Sequence, residues 1–277
     1  MHYLTICIAA ACEDGKHIVV CADRMFTVGP PLNVEFEPPL TKIEAMGSTC
    51  RAMGSGNGLF VAEILARARA SYQNVPTANI AQIANAVNNA YMAFRDEKIE
   101  EQILRVSLGP DFVSFRNRGG TLPQYLQPQP GIYQQVVVQS NQFNLNVDLI
   151  VTGIDATGSY LYYVGHPGSI INFGKIGYNA IGSGATHSAI RFALGLQHPK
   201  SSLAETLLSV YSAKNSSEVA PGVGHETEMA VISSDNVWPL PRKMLDQLSG
   251  SLKKEELTPK AEVDKIAGLY AELRKNA

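Results

Sequence analysis

From its fifth residue onward the chain switches between two hydrophobic periodicities in blocks. Residues 5–11 and 17–22 are β-branched and apolar around Glu13-Asp14-Gly15-Lys16, the pattern of a β-hairpin. Two more short strands are expected within 41–53, closing on Gly54-Ser55-Gly56-Asn57-Gly58. The period then lengthens. Leu59, Ala62, Ile64, Leu65 and Ala68 lie mostly on one helical face, and a second helix is expected from about 78 to 104, carried by Ile80, Ile83, Val87, Tyr91 and Phe94. Residues 147–153 and 160–164 return to strands around Asp155-Ala-Thr-Gly158. Two helices over 186–196 and 202–213 and a strand over 228–233 follow. This order predicts an α+β fold, a four-layer αββα sandwich of two antiparallel sheets flanked by helices. No internal repeat of solenoid or propeller length is visible.

The remaining segments are less regular. Prolines make residues 28–39 loop or edge structure. Between Gln124 and Gln142 fall seven glutamines mixed with prolines, so about 106–146 reads as an insertion holding a loop and a hairpin. Trp238-Pro-Leu-Pro241 breaks the pattern, and 242–277 carries Leu and Ile at helical spacing among many charges, as one or two amphipathic helices do. The expected division is a main domain over 1–238 and a C-terminal helical extension over 239–277.

Composition removes several functional classes. With 45% hydrophobic and 17% charged residues, a chain of 277 buries a sizeable core. A formal charge of −2, with no Lys/Arg-rich block, argues against nucleic acid or an anionic membrane surface as partner. The four cysteines, Cys7, Cys12, Cys21 and Cys50, have no zinc-ligand spacing, so no metal or cofactor is expected. Cys7 and Cys21 sit in apolar runs as buried free thiols do, which points to a reducing, cytoplasmic location. Residues 4–12 are apolar and end in Ala-Ala-Ala-Cys, but no Lys or Arg precedes them and a matching strand follows, so no signal peptide is read there.

The short motifs form a set. Thr5 opens the first strand and Asp14-Gly15 makes its turn; Asp23-Arg24 ends the second strand; Lys42-Ile43 opens the next, and Ser55-Gly56 follows fourteen residues after Lys42. Gly153 to Tyr162 reads Gly-x-Asp-x-x-Gly-x-x-Leu-Tyr, and Gly182-Ser183-Gly184 precedes a helix. In this order and spacing the chain resembles a proteasome β-subunit, an N-terminal-nucleophile hydrolase, and in particular the stand-alone bacterial homologues of the Anbu type. The resemblance spans roughly residues 5–233, insertion excluded. It implies that Thr5 is a threonine nucleophile whose freed α-amine acts as base. It further implies that Lys42 eases alkoxide formation, that Asp23 keeps Lys42 charged and oriented, that Ser183 holds the amine and a water, and that the Gly56 N–H faces the oxyanion. The implied reaction is amide hydrolysis through an acyl-enzyme, without metal, on a peptide or protein substrate and in a homo-oligomeric ring or similar assembly. An ATPase partner is not read from the chain.

The chain departs from that pattern twice. Residues 1–4 precede Thr5 and must be removed to free its amine, and Leu4 stands where family propeptides usually end in glycine. A late aspartate and serine that support the amine are expected near residues 219–224, where Val223 takes the serine's place and only Glu218 offers a carboxylate nearby. Other readings of the same residues are a plain helix cap for Ser183, a turn ion pair for Asp23-Arg24 and a solvated edge for Lys42. Cys7, two residues from Thr5, faces the same side and is an alternative nucleophile. His225 has no role in the family. At the level of the whole chain, the alternatives are a noncatalytic assembly subunit and an amidase for small amides.

Overall fold

The computed structural model describes residues 5–28, 34–37, 41–72, 79–109, 112–117, 120–121, 130–253 and 259–275. Strands β1 (Ile6–Cys12) and β2 (His17–Asp23) form the expected hairpin, with Cys7 opposite Ala22 and Cys12 opposite His17. Its turn takes positive φ at Glu13, Asp14 and Gly15. A Cβ at Gly15 would stand 2.3 Å from Ser159 Oγ, so only glycine fits. In the proline-rich stretch β3 (Phe26–Val28) and β4 (Val34–Phe36) pair as a small ribbon, and residues 29–33 and 38–40 lie outside the described ones. Strand β5 (Glu44–Ala45) pairs with β6 (Cys50–Gly56), which runs on through the glycine cluster to Gly56 before α1 (Gly58–Tyr72) begins. Helix α2 (Ile80–Ile99) starts at a capping box: Gln82 N–H donates to Asn79 Oδ1 at 2.8 Å and Asn79 N–H to Gln82 Oε1 at 2.9 Å. A π-helical turn over Glu100–Leu104 and α3 (Arg105–Leu108) continue it.

Among the described residues the insertion holds helices where a hairpin was expected. Its described residues form α4 (Phe112–Asn117) and α5 (Pro130–Gln142). Ile132 and Val136, one helical turn apart, close on Leu104 and Leu108, and that contact overrides the strand preference of the Val136-Val137-Val138 run. Residues 122–129, the Gln/Pro-rich loop, lie outside the described residues. Beyond it come β7 (Val147–Asp155), β8 (Gly158–Gly165), β9 (Ser169–Asn172) and β10 (Tyr178–Gly182). Helix α6 (Ala185–Leu194) is followed by α7 (Leu203–Ser217), whose Ser202–Glu205 capping box ends the preceding turn. Strand β11 (Thr227–Ile232) then leads to β12 (Val237–Pro239), where a break in the pattern was expected. The proline is tolerated because β12 is the edge of its sheet. Helices α8 (Arg242–Lys253) and α9 (Pro259–Lys275) end the described chain.

Two five-stranded antiparallel sheets carry the fold, in the orders β10-β1-β2-β11-β12 and β5-β6-β7-β8-β9. Strand alternation sorts their side chains. Cys7, Ala9 and Ala11 of β1 meet Met53, Ile150 and Leu161 of the second sheet, which places the sheets face to face. Ile6, Ile8 and Ala10 point the other way, into a cluster with Phe192, Leu207 and Val210 of α6 and α7. Ile64, Leu65, Val87 and Tyr91 of α1 and α2 cover the outer face of the second sheet. The molecule is therefore an α+β sandwich with helices outside both sheets. Leu248 and Ile266 of the last two helices share the cluster of β1 and α7, so this extension packs on the body. Among the described residues no helix is long and apolar enough to cross a membrane.

Candidate active site

Thr5 stands immediately before β1, with 3% of its surface exposed. Because Cys7 pairs with Ala22, the hairpin register brings Thr5 beside Asp23 at the end of β2. Asp23 is fully buried, and both its oxygens are used. Oδ1 accepts hydrogen bonds from Thr5 Oγ1, from the Ile6 N–H at 3.2 Å and from Lys42 Nζ at 2.7 Å. Oδ2 accepts the Gly224 N–H at 2.8 Å. Lys42 Nζ also donates to Thr5 Oγ1. Hydroxyl, ammonium and carboxylate thus form a closed triangle in which the hydroxyl proton faces a carboxylate and its oxygen faces a cation. That arrangement favours loss of the proton and stabilises the alkoxide left behind. Lys42 is no solvated edge residue: its side chain is 8% exposed.

Lys42 is remote in sequence, and Glu228 is what brings its backbone here. Glu228 Oε1 accepts the N–H groups of Lys42 and of Ile43, the latter at 3.2 Å. Glu228 faces Ala22 across the β2–β11 ladder, next to Asp23. Burial pushes its carboxyl up, while the Lys42 N–H and the Thr41 hydroxyl oppose the shift.

Ser183 lies over the carbonyl side of Thr5. Its Oγ is 2.9 Å from the Pro221 carbonyl oxygen and 3.4 Å from that of Thr5, and the single hydroxyl proton serves the shorter contact. It does not cap α6; the N-cap there is Gly184, and no side chain bonds it. Gly182, at the end of β10, pairs with Ile6, and a Cβ on it would come 2.2 Å from the Thr5 carbonyl oxygen. The backbones approach so closely that glycine is required. Gly56 lines the same cleft as Thr5, Lys42, Met25, Phe26 and Val61, which is open to solvent on one side. Its φ is +107°, and a Cβ would meet the Asn146 carbonyl oxygen at 2.0 Å.

The other sequence candidates fall outside this cluster. Cys7 Sγ turns to the Gly54 carbonyl, 3.5 Å away, and burial pushes its thiol up to about 12 against the pull of Lys42. A thiol so protonated is a poor nucleophile. Glu218 is engaged by Lys214 Nζ and by His225 Nδ1, the latter at 2.8 Å, and has no bond to Thr5. Val223 is buried. Residues 1–4 lie outside the described residues. Sequence reading missed Glu228, Lys214 and the Gly224 amide. Only Gly224 carried a signal, as part of a glycine-rich turn whose backbone is free to point inward. Among the described residues no group of three or more His, Cys, Asp or Glu side chains is placed to hold a metal ion. No family model matches the chain, and no curated protein is significantly similar to it.

Proposed function

We propose that the chain is a threonine amidohydrolase of the N-terminal-nucleophile kind, resembling a proteasome β-subunit, that cleaves peptide bonds once residues 1–4 are removed. The observation that carries this reading is the buried Thr5–Lys42–Asp23 triangle at the start of a strand, open to a cleft lined by Gly56. Thr5 Oγ1 attacks the substrate carbonyl carbon, and its proton passes to the freed Thr5 amine. The amine hands that proton to the departing nitrogen as the C–N bond breaks, leaving an ester on Thr5. Water then attacks the ester, releases the carboxylic acid and restores the hydroxyl. Lys42 lowers the cost of the alkoxide, Asp23 fixes Lys42, and the Gly56 amide faces the oxyanion. Residues 1–4 leave by a related route in which the Thr5 nitrogen is the leaving group and not the base. Thr5 Oγ1 attacks the Leu4 carbonyl carbon, and its proton passes by way of Asp23 and water to the Thr5 nitrogen as the C–N bond breaks. Water then hydrolyses the resulting Leu4 ester to free residues 1–4 and the amine. No cofactor takes part. The reading extends to self-association in the cytoplasm: Ile190, Leu194 and Leu196 are each more than half exposed on and just after α6, an apolar patch that a second copy covers.

The first experiment is intact mass and N-terminal sequencing of wild type and Thr5→Ala, with turnover of a peptide panel. Wild type starting at Thr5, an uncut Thr5→Ala chain and no turnover by the variant are expected. Equal turnover by both proteins sinks the enzyme reading. An uncut wild type without turnover leaves the assembly-subunit reading, and covalent capture by β-lactam-like but not peptide probes moves the substrate to small amides.

A further inference from the structure

The triangle at Thr5 is held from outside the sheets by one short segment, residues 218–226, which contains no catalytic side chain. Its Gly224 N–H is the only described hydrogen-bond donor to Asp23 Oδ2, at 2.8 Å. Its Pro221 carbonyl accepts the Ser183 hydroxyl at 2.9 Å. Its Glu226 carbonyl accepts the Arg24 N–H at 3.2 Å, beside Asp23. The segment includes two glycines, with Gly222 at a φ of +71°. Its middle is shaped by Pro221, by the Val223 N–H bonding the Ala220 carbonyl at 3.3 Å and by the burial of Ala220 and Val223 in the core, which leaves its two ends to be fixed.

What joins its two ends is Lys214, on α7. This lysine is fully buried, and its ammonium reaches both ends of the segment, donating to Glu218 Oε1 and, at 2.9 Å, to the His225 carbonyl. A lysine costs several kcal/mol to bury unless its charge is paired and its protons are bonded, so both contacts are held firmly. The neighbouring serines do a different task. Ser217 Oγ bonds the Gly184 and Ala213 carbonyls and Ser188 Oγ, which ties α7 to the start of α6, and only its main-chain carbonyl meets the segment, accepting the Ala220 N–H at 3.0 Å.

We propose that Lys214 is a positioning residue, a clamp that closes residues 218–225 into one shape and thereby aims the Gly224 amide at Asp23 and the Pro221 carbonyl at Ser183. The proposal rests on the reading of Thr5 as nucleophile. Three donors crowd Asp23 Oδ1, while Oδ2 has Gly224 as its described partner. Without that amide the carboxylate turns about its last torsion, and its alignment with Lys42 and Thr5 is lost. A buried oxygen is also left unpaired. The clamp acts on the rate of the chemical step because it orders the carboxylate and touches nothing in the cleft.

The test compares wild type with Lys214→Met and with Glu218→Ala, the second chosen because Glu218 is partly exposed, so that its truncation lets water reach the Lys214 ammonium it leaves without a carboxylate. Two readouts are taken: kcat and KM for peptide hydrolysis, and hydrogen exchange of the Gly224 amide against amides of β1 and β2. Expected are a kcat lower by about 10- to 100-fold with KM within about 3-fold. Gly224 exchange is expected to quicken at least about 10-fold while β1 and β2 stay protected. Unchanged kcat with a protected Gly224 amide in both variants overturns the clamp, as does a raised KM at constant kcat, which assigns the segment to substrate binding. If Lys214→Met loses protection throughout, Glu218→Ala decides alone. If wild type hydrolyses nothing, it is the nucleophile reading that fails, and Gly224 exchange still decides whether Lys214 holds the segment.

Discussion

The two sheets have similar sizes and unlike interiors. Every residue of β1 and six of the seven in β2 are buried, so these two inner strands of the first sheet are dry on both faces. The second is half-wet along β8 and β9, where Tyr160 and Tyr162 stack at 5.6 Å on a partly exposed face. Most of the charged and hydroxyl groups of the candidate site sit at strand ends of the first sheet, with Thr5 before β1, Asp23 ending β2, Glu228 in β11 and Ser183 after β10, and Lys42 reaches them from the segment that leads into β5 of the second sheet. The second sheet contributes backbone at Gly54 and Gly56 and the wall of the cleft. The difference teaches where each task belongs. An ion pair keeps one geometry when water does not compete for it, and a cleft has to open where water and substrate enter.

The sharpest way to break this comparison is Asp23→Asn. It keeps the shape and removes the charge that Lys42 faces, so turnover should fall by at least about 100-fold. Removing one partner of a buried pair should also cost about 3–5 kcal/mol in denaturant unfolding. A variant with wild-type turnover removes the first sheet from the chemistry. Gly56→Ala makes the matching test on the second sheet. Its positive φ and the 2.0 Å approach to Asn146 force a backbone shift costing about 1–3 kcal/mol, and turnover should fall with it because the amide moves. A stable variant of unchanged rate places the oxyanion donor elsewhere.

The smallest effect is one of pH, and it sharpens the part played by the 218–226 segment. Burial raises the Glu218 carboxyl, but its bonds to Lys214 and His225 outweigh that and hold it below the ordinary glutamate value of about 4.3. A depressed carboxyl contributes stability above its unfolded value that is lost as pH falls through its folded value. Unfolding free energy measured from pH 6 to pH 3 should therefore fall more steeply in wild type than in Glu218→Gln below about pH 4. Parallel curves would mean that the pair does not hold the segment.

Much of this was legible in the chain. The first hairpin, the helix pairs and the succession of strand and helix blocks along the chain followed from local period and turn residues, because alternation and helical spacing report which face is buried before any partner is known. Thr5, Asp23 and Lys42 were legible as residues through the motif set. The insertion was misread because Val136-Val137-Val138 favours a strand locally, whereas the contact of Ile132 and Val136 with Leu104 and Leu108 selects a helix. Strand β12 was missed because its proline breaks the pattern and is allowed only at an edge, which local sequence does not mark.

By itself, then, the sequence determined the alternation of strand and helix blocks and placed a hydroxyl, a carboxylate and an amine at strand boundaries. Only the tertiary structure decided that the three meet, since Thr5, Asp23 and Lys42 are 18 and 37 residues apart along the chain and touch only in the folded corner. It also decided what holds them, because Glu228 on Lys42, the Gly224 amide on Asp23 and Lys214 behind that segment are single residues with no periodicity. Their partners come from strands, loops and helices that only packing brings together, and burial is what makes each of those hydrogen bonds obligatory.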